Sequence, residues 1–433
     1  MNKKVLAVVM SCVLAAGIFT GCGSKSDSKS GDKITLTILT QKTDFVNTKF
    51  KEYAETYKKD HPNIELKFEA YTDYDAQTQT RITSNEYGDV LMIPNTLPIS
   101  ERPNYFESLG SEKELANKYY GLDGVGDEFG GKIYGIPSDM NVSGMVYNKK
   151  VFKDVGITVL PKTPDEFLSD MQKIKDKLPE VTPYYTNYKD GWPLVQWEPD
   201  TLSVFGKNTY TNQEMVNTDS PFSPGTPHYI VYKLMYDLAN KKLIEKDPTT
   251  TDWEQSKTLM AQGKIGAMEL GSFAIAQIQA QASNADDIGY MPFPYQVNGK
   301  TYSNLSADYP IAVNKNSKHV TEAKEFLTWF VEKSGYAQDC GTVPTLKGAE
   351  MPKSLQAFKD LGVEYLMPAS AKEGQAGWND KIDKAAEVGL WQPDFRRRVI
   401  EAAIGNSKET YDQIMNDLNS KWKTARAKVV SGK

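Results

Sequence analysis

The sequence predicts an α/β fold, and three observations predict it. Short runs with alternating apolar residues take turns with longer stretches whose apolar residues recur every three or four positions. Helix-start signals fall where the second pattern begins, and no fixed-period repeat runs along the chain, which excludes solenoids and propellers. Residues 34–40 (ITLTILT) alternate as a half-buried strand does. Phe50, Tyr53, Ala54 and Tyr57 then fall on one helical face, and His61-Pro62 ends that helix. Ile64, Leu66 and Phe68 alternate again, a helix follows over 74–86, and a short strand over 89–92. Strand, helix, strand, helix, strand implies a mostly parallel sheet covered by helices. Downstream, Thr163-Pro164-Asp165-Glu166 opens a helix to about Leu178, with proline in the first helical position. Further helices are expected over 229–241, 252–262, 272–282, 318–333, 354–361, 394–403 and 408–428, and strands over 133–136, 265–269, 288–291 and 311–313. Asn298-Gly299 is a hairpin turn signal.

The first 22 residues fix where the rest works. Lys3 and Lys4 precede fifteen mostly apolar residues, Val5 to Phe19, and Phe19-Thr20-Gly21-Cys22 follows. A charged head, a short apolar core and a small-residue exit make a secretory signal over 1–21, too short for a comfortable membrane span. The exit resembles the lipobox of bacterial lipoproteins, with Phe19 and Thr20 departing from its usual residues. The resemblance implies a thioether diacylglycerol on Cys22, whose two acyl chains (palmitate) hold the protein stably on a membrane. Residues 22–32, rich in Ser, Lys and Gly, read as the flexible tether behind it. The expected location is therefore outside the cell, on the outer face of the membrane.

Without residues 1–21, which carry Lys3 and Lys4 and no acid, 412 residues remain and the net charge moves from −5 to −7. That length suits two or three domains, each with its own core. An acidic balance argues against nucleic acid as a partner. Cys12 leaves with the leader and Cys22 takes lipid, so Cys340 stands alone and no intrachain disulfide is expected. The 24 tyrosines and 7 tryptophans suit a large core, or a cleft that grips flat amphipathic ligands.

Chemical motifs are absent. The three histidines, His61, His228 and His319, have no ligand or catalytic partner at helical spacing. H-E-x-x-H, C-x-x-C, G-x-S-x-G and the P-loop do not occur. The glycine-rich stretch 121–130 lacks EF-hand and dinucleotide spacing and reads as a loop. No catalytic residue, metal site or cofactor is expected.

Several segments then fall into one order. Residues 131–137 (GKIYGIP), 144–149 (GMVYNK), 163–167 (TPDEF), 260–274 (MAQGKIGAMELGSFA), 288–294 (IGYMPFP) and 313–319 (VNKNSKH) together resemble the extracellular solute-binding proteins of family 1, the carbohydrate-binding components of ABC importers. The likeness runs from about Ile34 to about Lys428. It implies a two-lobed periplasmic-binding-protein-like fold with an inter-lobe ligand cleft and a hinge. Residues 33–142 with 297–347 are assigned to lobe 1 and 143–296 with 348–433 to lobe 2, with crossings near 140–145, 294–298 and 345–350. The implied partners are a carbohydrate and the membrane permease subunits, with the protein a monomer. Ligand contacts to both lobes would supply the differential affinity that favours closure.

A sugar offers C–H faces to aromatic rings and hydroxyl edges to polar side chains. Phe273 stands where the family often carries a cleft tryptophan, and Trp391 matches a region where relatives place a sugar-stacking one. Trp192 and Trp197 lie in a segment similar to one lining the cleft, one of them expected to be buried structure. Trp378 is expected in a polar loop, exposed, and Tyr309 faces either the cleft or the core. Asp139, and Gln41, Lys42 and Asp44 after the first strand, sit at strand ends where open α/β sheets bind ligands, though solvated or capping roles suit each of them equally. Trp253, Trp329 and Trp422 are assigned to packing. Competing readings are an anchored glycoside hydrolase, which needs a carboxylate pair ~5–9.5 Å apart, and a binder of peptide, polyamine or metal.

Overall fold

Two mixed sheets and a small third sheet between them organise the chain, seen in a computed structural model that describes residues 33–71, 73–94, 96–122 and 128–432. The leader, Cys22 and the tether lie outside the described residues, as do 123–127 of the glycine-rich stretch. In the first sheet Ile34–Thr40 is flanked by Ile64–Ala70 and Val90–Met92, both parallel to it, followed by Pro310–Val313 and Ile136–Pro137. The second sheet has the order Thr182–Tyr184, Ile265–Glu269, Met145–Asn148, Ile288–Met291. The strand–helix–strand–helix–strand run gives three strands paired in parallel, as expected, and antiparallel strands join each sheet at the crossings. Pro310–Val313 is antiparallel to Val90–Met92, and Met145–Asn148 is antiparallel to both its neighbours. These strands enter their sheets directly from the crossings rather than through a covering helix, so they need not run with the βαβ direction.

The helices form where apolar spacing and caps agree. Lys49–Asp60 buries Phe50, Tyr53 and Tyr57, and its end is marked by the His61 ring stacked on Tyr57 at 4.1 Å. Pro164–Lys177 starts as its sequence predicts: the Thr163 hydroxyl accepts from the Glu166 N–H at 3.2 Å, and the Glu166 carboxylate accepts from the Lys162 N–H at 2.7 Å. Trp378 departs from expectation. It opens the helix Trp378–Ala386 and packs against the second lobe's core, because Gly377, at φ 70°, turns the chain into the helix just ahead of it.

Three apolar cores follow the sheets. One holds the first sheet with Lys49–Asp60 and Val320–Lys333. A second holds one side of the second sheet with the carboxy-terminal helices Asp394–Ile404 and Tyr411–Ser431. A third, built on Met140, Val142, Met268, Leu270, Tyr290, Leu305 and Val343, lies under the connections between the sheets. At the first connection Gly144 has φ +156°, and a Cβ there would lie 2.5 Å from the Met291 carbonyl oxygen, so the crossing admits only glycine. Asn298 and Gly299 both have positive φ, and Val297 pairs with Lys300 across them.

Candidate functional site

The small third sheet has one apolar and one polar face. It runs Glu364–Leu366, Tyr302–Ala307, Met140–Val142, with Val343 opposite Met140 on the far edge. Side chains alternate across such a sheet. Met140, Val142, Leu305 and Val343 all point into the third core. With Tyr302 and Leu366 at its margin, the other face carries Asp139, Asn141, Asn304, Ser306, Asp308 and Thr342. They bond among themselves: Asn141 Nδ2 donates to Asp308 at 2.9 Å, Thr342 Oγ1 to Asp139 at 2.5 Å and Asn304 Nδ2 to Ser306 at 3.2 Å. Two strands of this face, Met140–Val142 and Tyr302–Ala307, lie on the chain segments that link the two larger sheets.

Lobe 1 closes one side. Gln41 and Lys42 follow the carboxyl end of the central strand Ile34–Thr40, and the Lys42 ammonium sits 3.7 Å from Asp44 and over the Phe45 ring. Burial pulls the Lys42 pKa down, but Cys340, Asp44, Asp139 and Asp308 outweigh it and hold the ammonium above its usual range. Asp139, 2 % exposed, is pushed up to about 7 by burial and by Asp308, against the stabilising hydroxyls of Thr342 and Ser138 and the charge of Lys42. Asp44 is exposed on the rim, and Tyr309 packs edge-on to Tyr74 with its hydroxyl 3.4 Å from Asp75. Of the residues named from the sequence, Lys42, Asp44 and Asp139 act on one another at this end of the face, and Gln41 lies 3.2 Å from the Thr40 hydroxyl.

Lobe 2 supplies the aromatic side. Among the described residues, the exposed large aromatic side chains are Trp192 (38 %) and Trp391 (55 %). Trp197, their sequence neighbour, is buried at 2 %. The loops bearing the two exposed tryptophans touch: a Cβ on Gly191 would lie 2.6 Å from the Arg397 guanidinium and 3.1 Å from Pro393. Arg397 also donates to the Lys189 carbonyl at 2.9 Å. Trp192 packs against Phe273 at 6.1 Å and Trp253 at 5.7 Å. Phe273 follows Ser272, whose hydroxyl lies 3.4 Å from Asn141 Oδ1 on the polar face. Trp391 lines a recess of about 50 Å³ together with Thr201, Asn304, Pro368 and Asn379. Trp378 is not brought into this group; only its neighbour Asn379 reaches the recess.

The Trp391 loop is moored from below. Arg396, fully buried, donates to the carbonyls of Leu390 and Gln392, each at 2.7 Å, and to Glu198 at 2.7 Å. Asp383 accepts from the Gly389 N–H at 2.9 Å and the Leu390 N–H at 3.1 Å. Glu198 is itself held by His228 at 2.9 Å and Tyr232 at 2.5 Å; burial works against its charge, but His228 and Arg396 keep its pKa below the usual range. An exposed tryptophan on a loop fixed at this many points is a preorganised contact surface.

The sequence profile of the bacterial extracellular solute-binding proteins matches residues 45–337. The chain belongs to that family. Two solved structures are similar over nearly the whole chain. BlMnBP2 of Bifidobacterium animalis subsp. lactis, a manno-oligosaccharide specific solute binding protein in complex with mannotriose, is 33 % identical, with a TM-score of 0.82 over 91 % of this chain and 95 % of that one. BlMnBP1 of the same organism, the binding protein of an ABC transporter in complex with mannobiose, is 35 % identical, with a TM-score of 0.81 over the same shares. The multiple sugar-binding protein of Streptococcus mutans serotype c is 27 % identical over 327 residues, 73 % of this chain and 76 % of that one. As a solute-binding protein, the chain has the two-lobed α/β fold, and its family and neighbours bind rather than transform. Among the described residues no helix is long and apolar enough to cross a membrane, and no group of three or more His, Cys, Asp or Glu stands ready for a metal.

Within this solute-binding fold, sequence reading missed Asn141, Asn304, Ser306, Asp308 and Thr342, and it left Trp253 to packing. A signal for the first group was present: in 304–308 (NLSAD) and 139–141 (DMN) polar residues alternate with apolar ones. That is the pattern of a strand with one apolar face in a core and one polar face open to ligand.

Proposed function

We propose that this protein captures a manno-oligosaccharide between its lobes and presents it to the permease of an ABC importer, tethered to the outer face of the membrane by lipid on Cys22. One observation carries the reading: two exposed tryptophans on interlocked loops stand near a sheet face that carries Asp139, Asn141, Asn304, Ser306, Asp308 and Thr342. Rings take the C–H faces of a sugar and the polar floor takes its hydroxyls. The likeness to two binding proteins solved with mannobiose and mannotriose narrows the sugar class. Gln41, Lys42, Asp44, Asp139 and Tyr309 form the lobe 1 side of the proposed site, and Phe273, Trp192 and Trp391 the lobe 2 side. Trp378 is left out, since its ring packs on the core. Lobes 33–142 with 297–347 and 143–296 with 348–433 would close about the small third sheet.

Removing a ring that becomes buried on sugar binding forfeits about 1.5–3 kcal/mol, roughly 10- to 150-fold in affinity. Trp391→Ala and Trp192→Ala are therefore expected to weaken mannotriose binding by at least tenfold while urea unfolding stays within about 1 kcal/mol of the parent. Parental affinity in both folded variants would remove the tryptophans from the site. For the anchor, Cys22→Ser is expected to shift the protein from the membrane fraction to the medium; retention on the membrane would exclude lipid on Cys22.

A further inference from the structure

We propose that Asn304 reads a single hydroxyl-bearing group of the bound sugar, in a subsite walled by Trp391; this rests on the sugar-binding reading above. Asn304 lies on the polar face beside Leu366 of the neighbouring strand, and its backbone is fixed. Its N–H lies 3.1 Å from both the Ser143 and the Ser203 hydroxyls, and its carbonyl accepts from the Ser143 N–H at 3.0 Å. Its side chain is nearly as constrained, since Nδ2 donates to Ser306 Oγ at 3.2 Å and the residue is only 5 % exposed. Oδ1 is buried and has no hydrogen-bond partner. Exchanging the amide oxygen and nitrogen would leave the other half of the amide without a partner, so either assignment leaves one polar atom unanswered. A buried acceptor in that condition is costly, and native proteins retain such groups where something else answers them.

The recess beside Asn304 says what answers. Its other walls are Trp391, Thr201, Pro368, Asn379, Leu390 and the Glu198 segment, and its volume is about 50 Å³. By the same measure a water needs about 10–15 Å³, so the recess has room for a hydroxyl or hydroxymethyl group. The exposed Trp391 offers a ring face beside it. Stacking on Trp391 accepts any sugar with a C–H face, whereas a fixed, buried amide rejects a sugar that lacks the matching hydroxyl, because the amide is then left unpaired. Asn304 is thus the discriminating contact and Trp391 the permissive one.

The test is calorimetric titration of the parent, Asn304→Ala and Asn304→Ser with mannotriose and with a set of monodeoxy mannobioses, with urea unfolding reporting the fold of each variant. Both variants are expected to bind mannotriose about tenfold or more weakly. One monodeoxy analogue is expected to bind the parent with the same loss and to lose nothing further with Asn304→Ala, while the other analogues lose the variant's factor in addition. Undiminished mannotriose binding by either folded variant would overturn the proposal, as would an equal further loss for every analogue. If the parent itself bound no manno-oligosaccharide, the sugar reading would fall and this inference with it.

Discussion

Replacing Arg396 with methionine is expected to cost about 3–5 kcal/mol of folding stability and to weaken sugar binding through the Trp391 loop. The guanidinium is fully buried and answers Glu198, Tyr232 and the carbonyls of Leu390 and Gln392. Methionine fills the volume but leaves Glu198 with a buried charge supported only by His228 and Tyr232, and leaves two loop carbonyls unanswered. The second effect separates this site from an ordinary core arginine, because those carbonyls flank Trp391. Urea unfolding reads the first effect and mannotriose titration the second. Arg396→Lys keeps the charge but not the fork, so it should fall between the two in stability and still lose affinity. A stability change below about 1 kcal/mol for Arg396→Met would contradict the mooring argument.

The second large effect depends on pH. Asp200 and Glu269 face each other and Ser143 in the interior, Asp200 fully buried and Glu269 3 % exposed, and none of their four carboxyl oxygens has a conventional donor. Tyr184 and Tyr290 face the pair, and no lysine, arginine or histidine of the described residues contributes to it. Burial pushes Asp200 up to about 7, and burial together with Asp200 pushes Glu269 well above the usual carboxylate range. Acids raised on folding hold protons that the unfolded chain has released. Their contribution is fully present below the unfolded pKa, about 4, and is lost as pH climbs through the folded value. Asp139, also pushed up to about 7, acts in the same direction. Stability should therefore fall by several kcal/mol between about pH 5 and pH 8. Asp200→Asn should flatten that slope and be the more stable chain at pH 8, by about 1–4 kcal/mol. Parallel urea midpoints for the two proteins across pH 5.5, 7 and 8.5 would show that the pair does not titrate in this way.

The parts of the fold legible in the sequence were those with long, one-sided patterns. Lys49–Asp60, Pro164–Lys177 and Ile34–Thr40 each declare themselves through apolar spacing, and two of them through a stop or a cap. The strands Thr182–Tyr184 and Glu364–Leu366 are three residues long and offer no period to read. Trp378–Ala386 was hidden by the glycines at 374 and 377, which read as loop yet serve to aim the helix. The candidate site divided along the same line. Residues placed by strand ends or by aromatic content, such as Lys42, Asp139, Trp192 and Trp391, could be named in advance. Asn304 and Asp308 could not, since only the pairing of Tyr302–Ala307 with Met140–Val142 shows that their alternation faces Asn141 rather than solvent. Arg396 looked like one of three consecutive arginines on a helix; its burial depends on Glu198, distant in sequence and adjacent in the fold.

The most direct test of the central claim is calorimetric titration of the chain from Gly23 onward with mannobiose and mannotriose, the sugar being recovered afterwards and sized. The account predicts saturable one-to-one binding with the sugar recovered intact. Absence of heat with either sugar would contradict the manno-oligosaccharide reading, and recovery of mannose fragments would contradict the reading of a binder that does no chemistry.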